Sequence, residues 1–456
     1  MAFLHRINHV YLVIFAADII AFITGTSVAW SSPVIPILEN KGISKNPLGQ
    51  GITDEEESWI GSLAAMGGIF GPFIFGYLVQ STGRKITVTL LSIPYLIAYL
   101  LAAFADSVYL YYVSRILMGF GVGGMFCILP IFVVESVEAK NRGALQATTT
   151  SAIMLGLLFS YSVGPYVPIR TFNLILAAFC VIYVPVFWLV APETPYYLCS
   201  VSQEDEAFKS LIYLRQKPET EVRSELEGIK NHVKQLKPTS FCEIFRTRGT
   251  TKAFVYSLVL TTAQQFSGVT VILYFTENIF HEAGSDIAPE VCSIIVGAVQ
   301  FVVSTISPPF LDRVGKKVLL LVALAGAIAC EVVLGVYFYL QKSGDDVSGI
   351  NWLPILSLVA FIAFYNFGLG AIPWAVMGEL LPLNIISKAS VVVTSFYWLV
   401  GFFLTKYFGS LSHEIGMAGS FWIFGGICVL FELFVYFFMF ETKGKSLNEI
   451  QAILNA

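Results

Sequence analysis

Charge is scarce in this sequence. Of 456 residues, 13% are Asp, Glu, Lys or Arg, about half the share found in a soluble domain. With 56% hydrophobic residues and a mean hydropathy of +0.74, the chain falls outside the soluble classes. Its net charge of −4 leaves no basic surplus with which to hold nucleic acid. Histidine is sparse, five in all, and no Cys/His spacing of metal-binding type occurs. Neither a metal nor another cofactor is expected. The seven cysteines (Cys127, Cys180, Cys199, Cys242, Cys292, Cys330 and Cys428) stand singly, which predicts free thiols and no disulfide framework. There is no Asn-x-Ser/Thr sequon, and no nucleophile–base–acid set that would suggest an enzyme.

What is abundant is the long apolar run. Runs of membrane-spanning length lie near 10–31, 58–79, 86–105, 109–134, 144–166 and 171–190, then near 253–280, 289–311, 318–340, 352–378, 389–409 and 418–440. The pattern predicts an all-α membrane protein with twelve transmembrane helices in two six-helix bundles. Residues 1–199 form the first bundle, 200–250 a cytosolic helical linker, 251–440 the second bundle and 441–456 a cytosolic tail. His5 and Arg6 precede a run too long for a cleaved signal peptide, so it reads as a retained first span. With both termini inside, 21 of the 27 Lys and Arg residues fall on the inner face, the distribution expected of cytoplasmic loops. The acidic run Asp54–Glu57 reads as a solvated outer rim. In the linker, Val222, Leu226, Ile229 and Val233 recur at helical spacing among alternating charges, which predicts short amphipathic helices. Ser240…Glu243 and Ser446…Glu449 read as capping boxes.

Inside these runs a few polar residues stand out. Gln264 and Gln265, in Gln264-Gln265-Phe266-Ser267-Gly268, sit about eleven residues into a run that opens near Ala253. At 1.5 Å per residue that is near the middle of a bilayer roughly 30 Å thick. Buried amides need a partner or a water-filled cavity. They offer donors and acceptors without charge, which suits a neutral, hydroxyl-rich solute; the other reading is hydrogen-bonded helix packing. Asp18, Arg115, Glu331, Lys406 and Glu432 also fall within spans, and each needs a partner.

The chain repeats itself. Gly83-Arg84-Lys85 after the second span matches Gly315-Lys316-Lys317 after the eighth. Glu135, with Arg142-Gly143 beyond it, matches Glu379, with Lys388 nearby. Pro192-Glu193-Thr194-Pro195 matches Glu441-Thr442-Lys443-Gly444. Three pairs in register on one face imply a duplicated six-helix unit, a plan used by transporters with a site between the halves.

These loops resemble the signature of the major facilitator superfamily, and the full set resembles its sugar-porter branch. The matching residues are Arg115-x-x-x-Gly119-x-Gly121, Glu135…Arg142-Gly143, Pro192–Leu198, Gln264–Gly268, Ile372-Pro373-Trp374 and Glu441–Gly444. Trp30-Ser31-Ser32-Pro33 and Gly378-Glu379-Leu380-Leu381-Pro382 are most similar to the insect facilitated trehalose/glucose transporter-like branch. The resemblance implies a sugar site at Gln264, Gln265, Thr270, Tyr274, Gln300, Asn366, Trp374, Trp398 and Thr150, with Tyr365 and Tyr397 beside it. For Trp374 the chemistry agrees, since an indole covers the C–H face of a sugar while its N–H donates. It also implies an inner gate of Arg84, Glu135, Arg142, Glu193, Asp312, Arg313, Lys316, Glu379 and Glu441. Pairs such as Glu135–Arg142, and Glu379 with Arg313 or Lys316, would hold the outward-open state. Thr150 stands where the glucose carriers have a glutamine, Thr270 and Tyr397 where they have asparagines and Asn366 where they have a glutamate, and Gln80, Ile386 and Phe440 depart from the loop signature. Asp18 precedes Thr24–Thr26, where proton-coupled relatives place their acid. The expectation is therefore a monomeric plasma-membrane uniporter of a neutral mono- or disaccharide working by alternating access. A proton-coupled symporter and a non-transporting sugar receptor are the alternatives, the short termini favouring a carrier.

Overall fold

Helix dominates because an apolar chain in hydrocarbon must pair its backbone groups internally. The computed structural model describes residues 8–40, 46–235, 241–284, 287–308, 310, 314–382, 385–442 and 447–455. Helix α1 (His9–Ala29) opens on Asn8, whose side chain accepts the Val10 N–H, and leads into α2 (Ser31–Glu39). Helix α3 (Asp54–Ser81) opens on a capping box between Thr53 and Glu56. Then come α4 (Arg84–Leu90), α5 (Ser92–Ala103), α6 (Val108–Ser136), α7 (Arg142–Val163) and α8 (Ile169–Val190). Within this first bundle α3 packs on α6, α1 on α7 and α5 on α8.

Three short helices follow: α9 (Pro195–Ser200), α10 (Glu204–Arg215) and α11 (Glu219–Gln235). The apolar spacing expected there produces a small separate core of Leu198, Ala207, Leu211, Val222, Leu226 and Ile229. Arg215 ties it to the first bundle, donating to the Ser136 carbonyl at 2.7 Å and pairing with Glu225 at 2.8 Å. Lys217 reaches Glu138 at 2.8 Å and, by that bond, holds its carboxyl below the usual range. Ser240 and Ser446, the expected caps, lie outside the described residues. The next long helix starts instead from a Thr247–Thr250 box.

The second bundle comprises α12 (Arg248–Phe266), α13 (Val269–Tyr274), α14 (Thr276–Ala283), α15 (Pro289–Ile306), α16 (Lys316–Ser343), α17 (Leu353–Phe367), α18 (Ile372–Leu380) and α19 (Ile386–Phe438). The tail helix α20 (Leu447–Asn455) packs under α12, where Asn455 accepts the Gly249 N–H at 2.8 Å. Helices α3 and α7 face α19 and α15 across the interface of the bundles.

Among the described residues, ten helical stretches are long and apolar enough to cross a membrane. Two places depart from the runs expected from the sequence. Lys388–Phe438 is one stretch of 51 residues; at 1.5 Å per residue it is over twice the thickness of a bilayer. It is interrupted at Gly416, whose backbone has φ 81° and ψ 162°. Arg248–Ala283 is broken at Gly268 and again at Phe275.

The repeat read from the loops recurs in three dimensions. Gly83 and Gly315 both turn the chain with positive φ, 95° and 99°, a region open to glycine at little cost. Glu193 then accepts the Arg84 and Lys85 N–H groups at 3.0 and 3.1 Å, while Glu441 accepts those of Lys316 and Lys317 at 3.1 Å each. Each carboxylate caps a helix N-terminus, where free N–H groups and the dipole favour negative charge. Burial raises the Glu193 carboxyl above its ordinary range, and the Thr194, Lys85 and Arg84 N–H groups oppose that rise. Arg84 pairs with Glu135 at 2.8 Å, and Lys316 pairs with Glu379.

Removing either clamp leaves helix-end donors without partners. Glu193→Ala and Glu441→Ala should each destabilise the detergent-purified protein by about 1–3 kcal/mol, seen as a lower thermal midpoint. The exposed Glu206→Ala should change it by less than about 0.5 kcal/mol. Equal effects for all three would remove the clamp from the account.

Candidate functional site

The amide pair sits on the last turn of α12, just before the Gly268 break. The two side chains part company. Gln264 donates through Nε2 to the Leu369 and Gly370 carbonyls at 2.8 and 2.9 Å, and its Oε1 accepts from Trp374 Nε1 at 3.0 Å. Gln265 accepts from the Thr270 hydroxyl at 2.5 Å, but its buried Nε2 has no partner. On α15, Gln300 is 1% exposed and neither atom of its amide is paired. Trp398 on α19 is also buried with an unpaired Nε1.

Aromatic rings complete this interior. Phe126 of α6 stacks toward Trp374, centroids 6.4 Å apart, and lies 6.1 Å from Trp398. Tyr397 meets both indoles edge to face, at 5.5 and 5.2 Å. The wall is thus shared by the two bundles. Sequence reading missed Phe126, because a phenylalanine within an apolar run carries no signal of its own.

Other expected site residues take different places. Asn366 donates to its own helix, at the Ile362 carbonyl, 2.9 Å. Thr150 donates to the Gln146 carbonyl at 3.4 Å and stays half-buried on α7. Tyr274 is buried beneath the Arg115 guanidinium, 5.3 Å from its ring. Its backbone carbonyl takes part in a seal between the bundles, reached because the chain breaks at Gly268 after α12.

That seal lies at the end where α3 begins with Asp54–Glu57. The Ser31 hydroxyl donates to the Tyr274 carbonyl at 3.2 Å, and the Glu277 N–H to the Ser32 hydroxyl at 3.3 Å. Tyr161 donates to the Leu273 carbonyl at 2.8 Å. Asn278 Nδ2 donates to Glu57 at 3.1 Å and to Glu39 at 3.4 Å. Glu57 is therefore part of a cross-bundle contact, not only of a solvated rim. Lys406 completes this face, its ammonium 3.9 Å from the centroid of Trp59. Arg115 anchors the seal from beneath through the Ile60 and Ser27 carbonyls, at 2.8 and 3.1 Å, and the face of Trp30.

At the opposite, basic end the two ion pairs of the expected gate stay within their own bundles. Glu135 pairs with Arg84 and also accepts from the Thr194 hydroxyl at 2.6 Å. Arg142 instead donates to the Val137 carbonyl at 3.3 Å. The expected Glu135–Arg142 pair is replaced because Arg84, at the start of α4, reaches both Glu135 oxygens through Nε and Nη2. The expected Glu379–Lys316 contact is present. Asp312 and Arg313 lie outside the described residues. Asp18 accepts from the Thr148 and Thr149 hydroxyls, both at 2.7 Å, which gives this span charge two partners.

Two related helical bundles, sealed at one end around a polar, aromatic-lined interior, define a multi-pass membrane protein of transporter architecture. The family model described as sugar (and other) transporter matches residues 15–454, and the chain belongs to that family. It is 35% identical over 449 residues to the facilitated trehalose transporter Tret1 of Polypedilum vanderplanki, covering 97% of this chain and 88% of that protein. To the Tret1 of Aedes aegypti it is 34% identical over 435 residues, covering 94% of this chain and 53% of that protein, so it spans about half the length of that longer relative. Among solved structures it is similar to a major facilitator superfamily proton:xylose symporter, XylE, bound to 6-bromo-6-deoxy-D-glucose. The TM-score is 0.79 at 23% identity, covering 98% of this chain and 100% of that one. The inward-open xylose transporter from E. coli gives 0.78 at 22% identity, covering 97% and 99%. The fold is that of the major facilitator superfamily.

Asn278 tests the seal. Losing its bonds to two carboxylates should shift the population away from the sealed form by about 1–3 kcal/mol. In a cysteine-free background carrying Thr270→Cys, Asn278→Ala should speed labelling by an impermeant maleimide added at the acidic end. Unchanged labelling would show that Asn278 does not hold the seal.

Proposed function

We propose that this protein is a facilitative sugar transporter, a uniporter that moves a neutral mono- or disaccharide by alternating access. One observation carries the reading: Gln265, Gln300 and Trp398 hold buried, unpaired hydrogen-bonding atoms on three helices of a membrane interior. Such atoms are costly unless something completes them. A hydroxyl-rich neutral ligand has both donors and acceptors, and the indole faces of Trp374 and Trp398 can cover its C–H surface. The amides bear no charge, so nothing in this set selects an anion or a cation. Family membership and the relatives named for facilitated trehalose transport support the same solute class.

In this reading the chain makes twelve crossings, counting Arg248–Ala283 as one and Lys388–Phe438 as two. Residues 1–199 and 251–440 are the two moving units, and 200–250 links them. Both termini and the basic loops face the cytosol, the sealed end faces outward, and the protein acts as a monomer in the plasma membrane. The sugar site comprises Gln265, Thr270, Gln300, Trp374 and Trp398, with Gln264, Tyr274, Asn366 and Thr150 at its margins. Arg84, Glu135 and Glu193, and Lys316, Glu379 and Glu441, form two matched clusters on the inner face. Arg142, Asp312 and Arg313 complete that gate when the bundles close there. Asp18, held by two threonine hydroxyls, acts as a structural partner, so sugar moves without a coupled proton.

Reconstituted protein tests both parts. Gln300→Ala should weaken sugar binding by about 0.5–1.5 kcal/mol for each hydrogen bond lost; a correctly folded variant with wild-type affinity would place the site elsewhere. Uptake should not respond to a pH gradient. Sugar-driven alkalinisation of the outer medium, abolished by Asp18→Asn, would establish symport instead.

A further inference from the structure

The outside of the first bundle carries an apolar groove with a charge at its mouth. Helix α5 stops at Phe104, whose N–H closes on the Leu100 carbonyl, and α6 starts again at Val108. The hairpin leaves a hollow of about 330 Å³ lined by Ile97, Leu100, Leu101, Phe104 and Leu110. Ile97, Leu100 and Phe104 are exposed there, and in a membrane such a face meets hydrocarbon rather than water. Beside Leu110, Tyr109 and Tyr112 meet edge to face at 5.8 Å; aromatic residues of this kind mark the headgroup boundary. The Arg170 guanidinium lies over the Phe104 ring, 4.8 Å from its centroid. It is exposed and, among the described residues, pairs with no carboxylate within 4 Å and donates to no protein acceptor. Stacking uses the flat face of a guanidinium and leaves the N–H groups on its edge open. Arg170 also stands in the first turn of α8, where a cation is unfavourable because a helix start carries partial positive charge. No side chain caps that start, and its first turn holds no acid. Trp30, beside the seal, donates to Asn173 of α8 at 2.9 Å, which puts this start at the acidic end of the molecule.

We propose that this groove holds one phospholipid of the leaflet at the acidic end, an acyl chain lying between α5 and α6 and the phosphate resting on Arg170. The apolar slot, the unpaired guanidinium and the uncapped helix start are each unanswered by the protein. An anion joined to a hydrocarbon chain answers all three together. A sterol or a diacylglycerol fills the slot but leaves the guanidinium without an anion. The groove lies on α5, α6 and α8, apart from the amides and indoles between the bundles. The proposal needs only that the chain spans a membrane, so it stands whatever solute is carried.

The test uses the full chain in vesicles of palmitoyl-oleoyl phosphatidylcholine. The vesicles are doped with a phosphatidylcholine carrying a photoreactive diazirine midway along one acyl chain. Cross-linked peptides are quantified by mass spectrometry over 97–110. The reference for ordinary boundary lipid is the exposed Val336 of α16, which like Ile97 lies about 10 Å from the end of its helix. Wild-type protein should label at the groove at least fivefold more than at the reference. Arg170→Gln should cut the groove signal about fivefold, the effect of one cation at the headgroups, and leave the reference unchanged. Arg170→Lys, which keeps the charge, should retain at least half of it. Leu100→Trp, which fills the slot and keeps Arg170, should cut it at least fivefold. A diazirine diacylglycerol with the same chains and no phosphate should label the groove no more than the reference. Each variant is first shown to be monodisperse with the wild-type thermal midpoint. Arg170→Gln and Leu100→Trp alter different sides of the site, so if one fails to fold the other decides. Groove labelling equal to the reference, or untouched by a folded Arg170→Gln, overturns the proposal. So does diacylglycerol labelling the groove as strongly as phosphatidylcholine, which would make the occupant any apolar lipid.

Discussion

Hydrocarbon offers no hydrogen bonds, and that single constraint sorts the polar residues of this chain into two kinds. One kind is satisfied within the fold. Arg115 spends its guanidinium on backbone carbonyls and aromatic faces, Asp18 takes two threonine hydroxyls, and Gln264 takes two carbonyls and an indole. These residues hold helices in register and break them where the chain must bend. The other kind is buried and incomplete: among the described residues it includes Tyr111 and Glu331 and, in the candidate site, Gln265, Gln300 and Trp398. A membrane interior keeps such atoms at a cost of about 1–3 kcal/mol each unless a ligand pairs them, and that cost is the physical ground for placing the site there.

A second consequence concerns motion. Each bundle carries its own clamp at the basic end, a glycine turn whose helix start is capped by a glutamate just beyond the bundle's last helix. The clamps keep each half stiff, and the bonds between halves lie mainly at the other end. Those bonds are few and neutral or singly charged: Ser31, Ser32, Tyr161 and Asn278 each contribute one or two. Individually each contributes about 0.5–1.5 kcal/mol, somewhat more where a carboxylate accepts. A seal of that strength can open and close at ordinary temperature. One built from the partly buried ion pairs of the clamps would break less readily, since parting such a pair leaves uncompensated charge.

Much of this was legible in the sequence, for identifiable reasons. Span-length runs and the bias of Lys and Arg depend on local composition, which folding does not alter. The Gly83 and Gly315 turns could be read because positive φ restricts the residue type. The Glu193 and Glu441 pairing could be read because repetition places them in register. What stayed hidden depends on contacts between distant segments. Arg84 rather than Arg142 takes Glu135 because α4 starts beside the end of α6, a distance that spacing does not encode. Asn278 reaches Glu57 only once α13 and α14 bend away from α12. The contrast between Gln264 and Gln265 is beyond any pattern of adjacent residues, since it is decided by where the α17–α18 break comes to rest. Phe126 is one of 38 phenylalanines, and only the fold sets it against Trp374.

The central claim is that sugar completes the unpaired interior and is carried across without an ion gradient. The most direct measurement is entrance counterflow in proteoliposomes preloaded with unlabelled sugar, with pH and potential equal on both sides. The account predicts that labelled D-glucose or trehalose accumulates transiently inside above its external concentration, and that the overshoot disappears when the preloaded sugar is omitted. Folded, correctly inserted protein giving no overshoot with any of a panel of neutral mono- and disaccharides would contradict it.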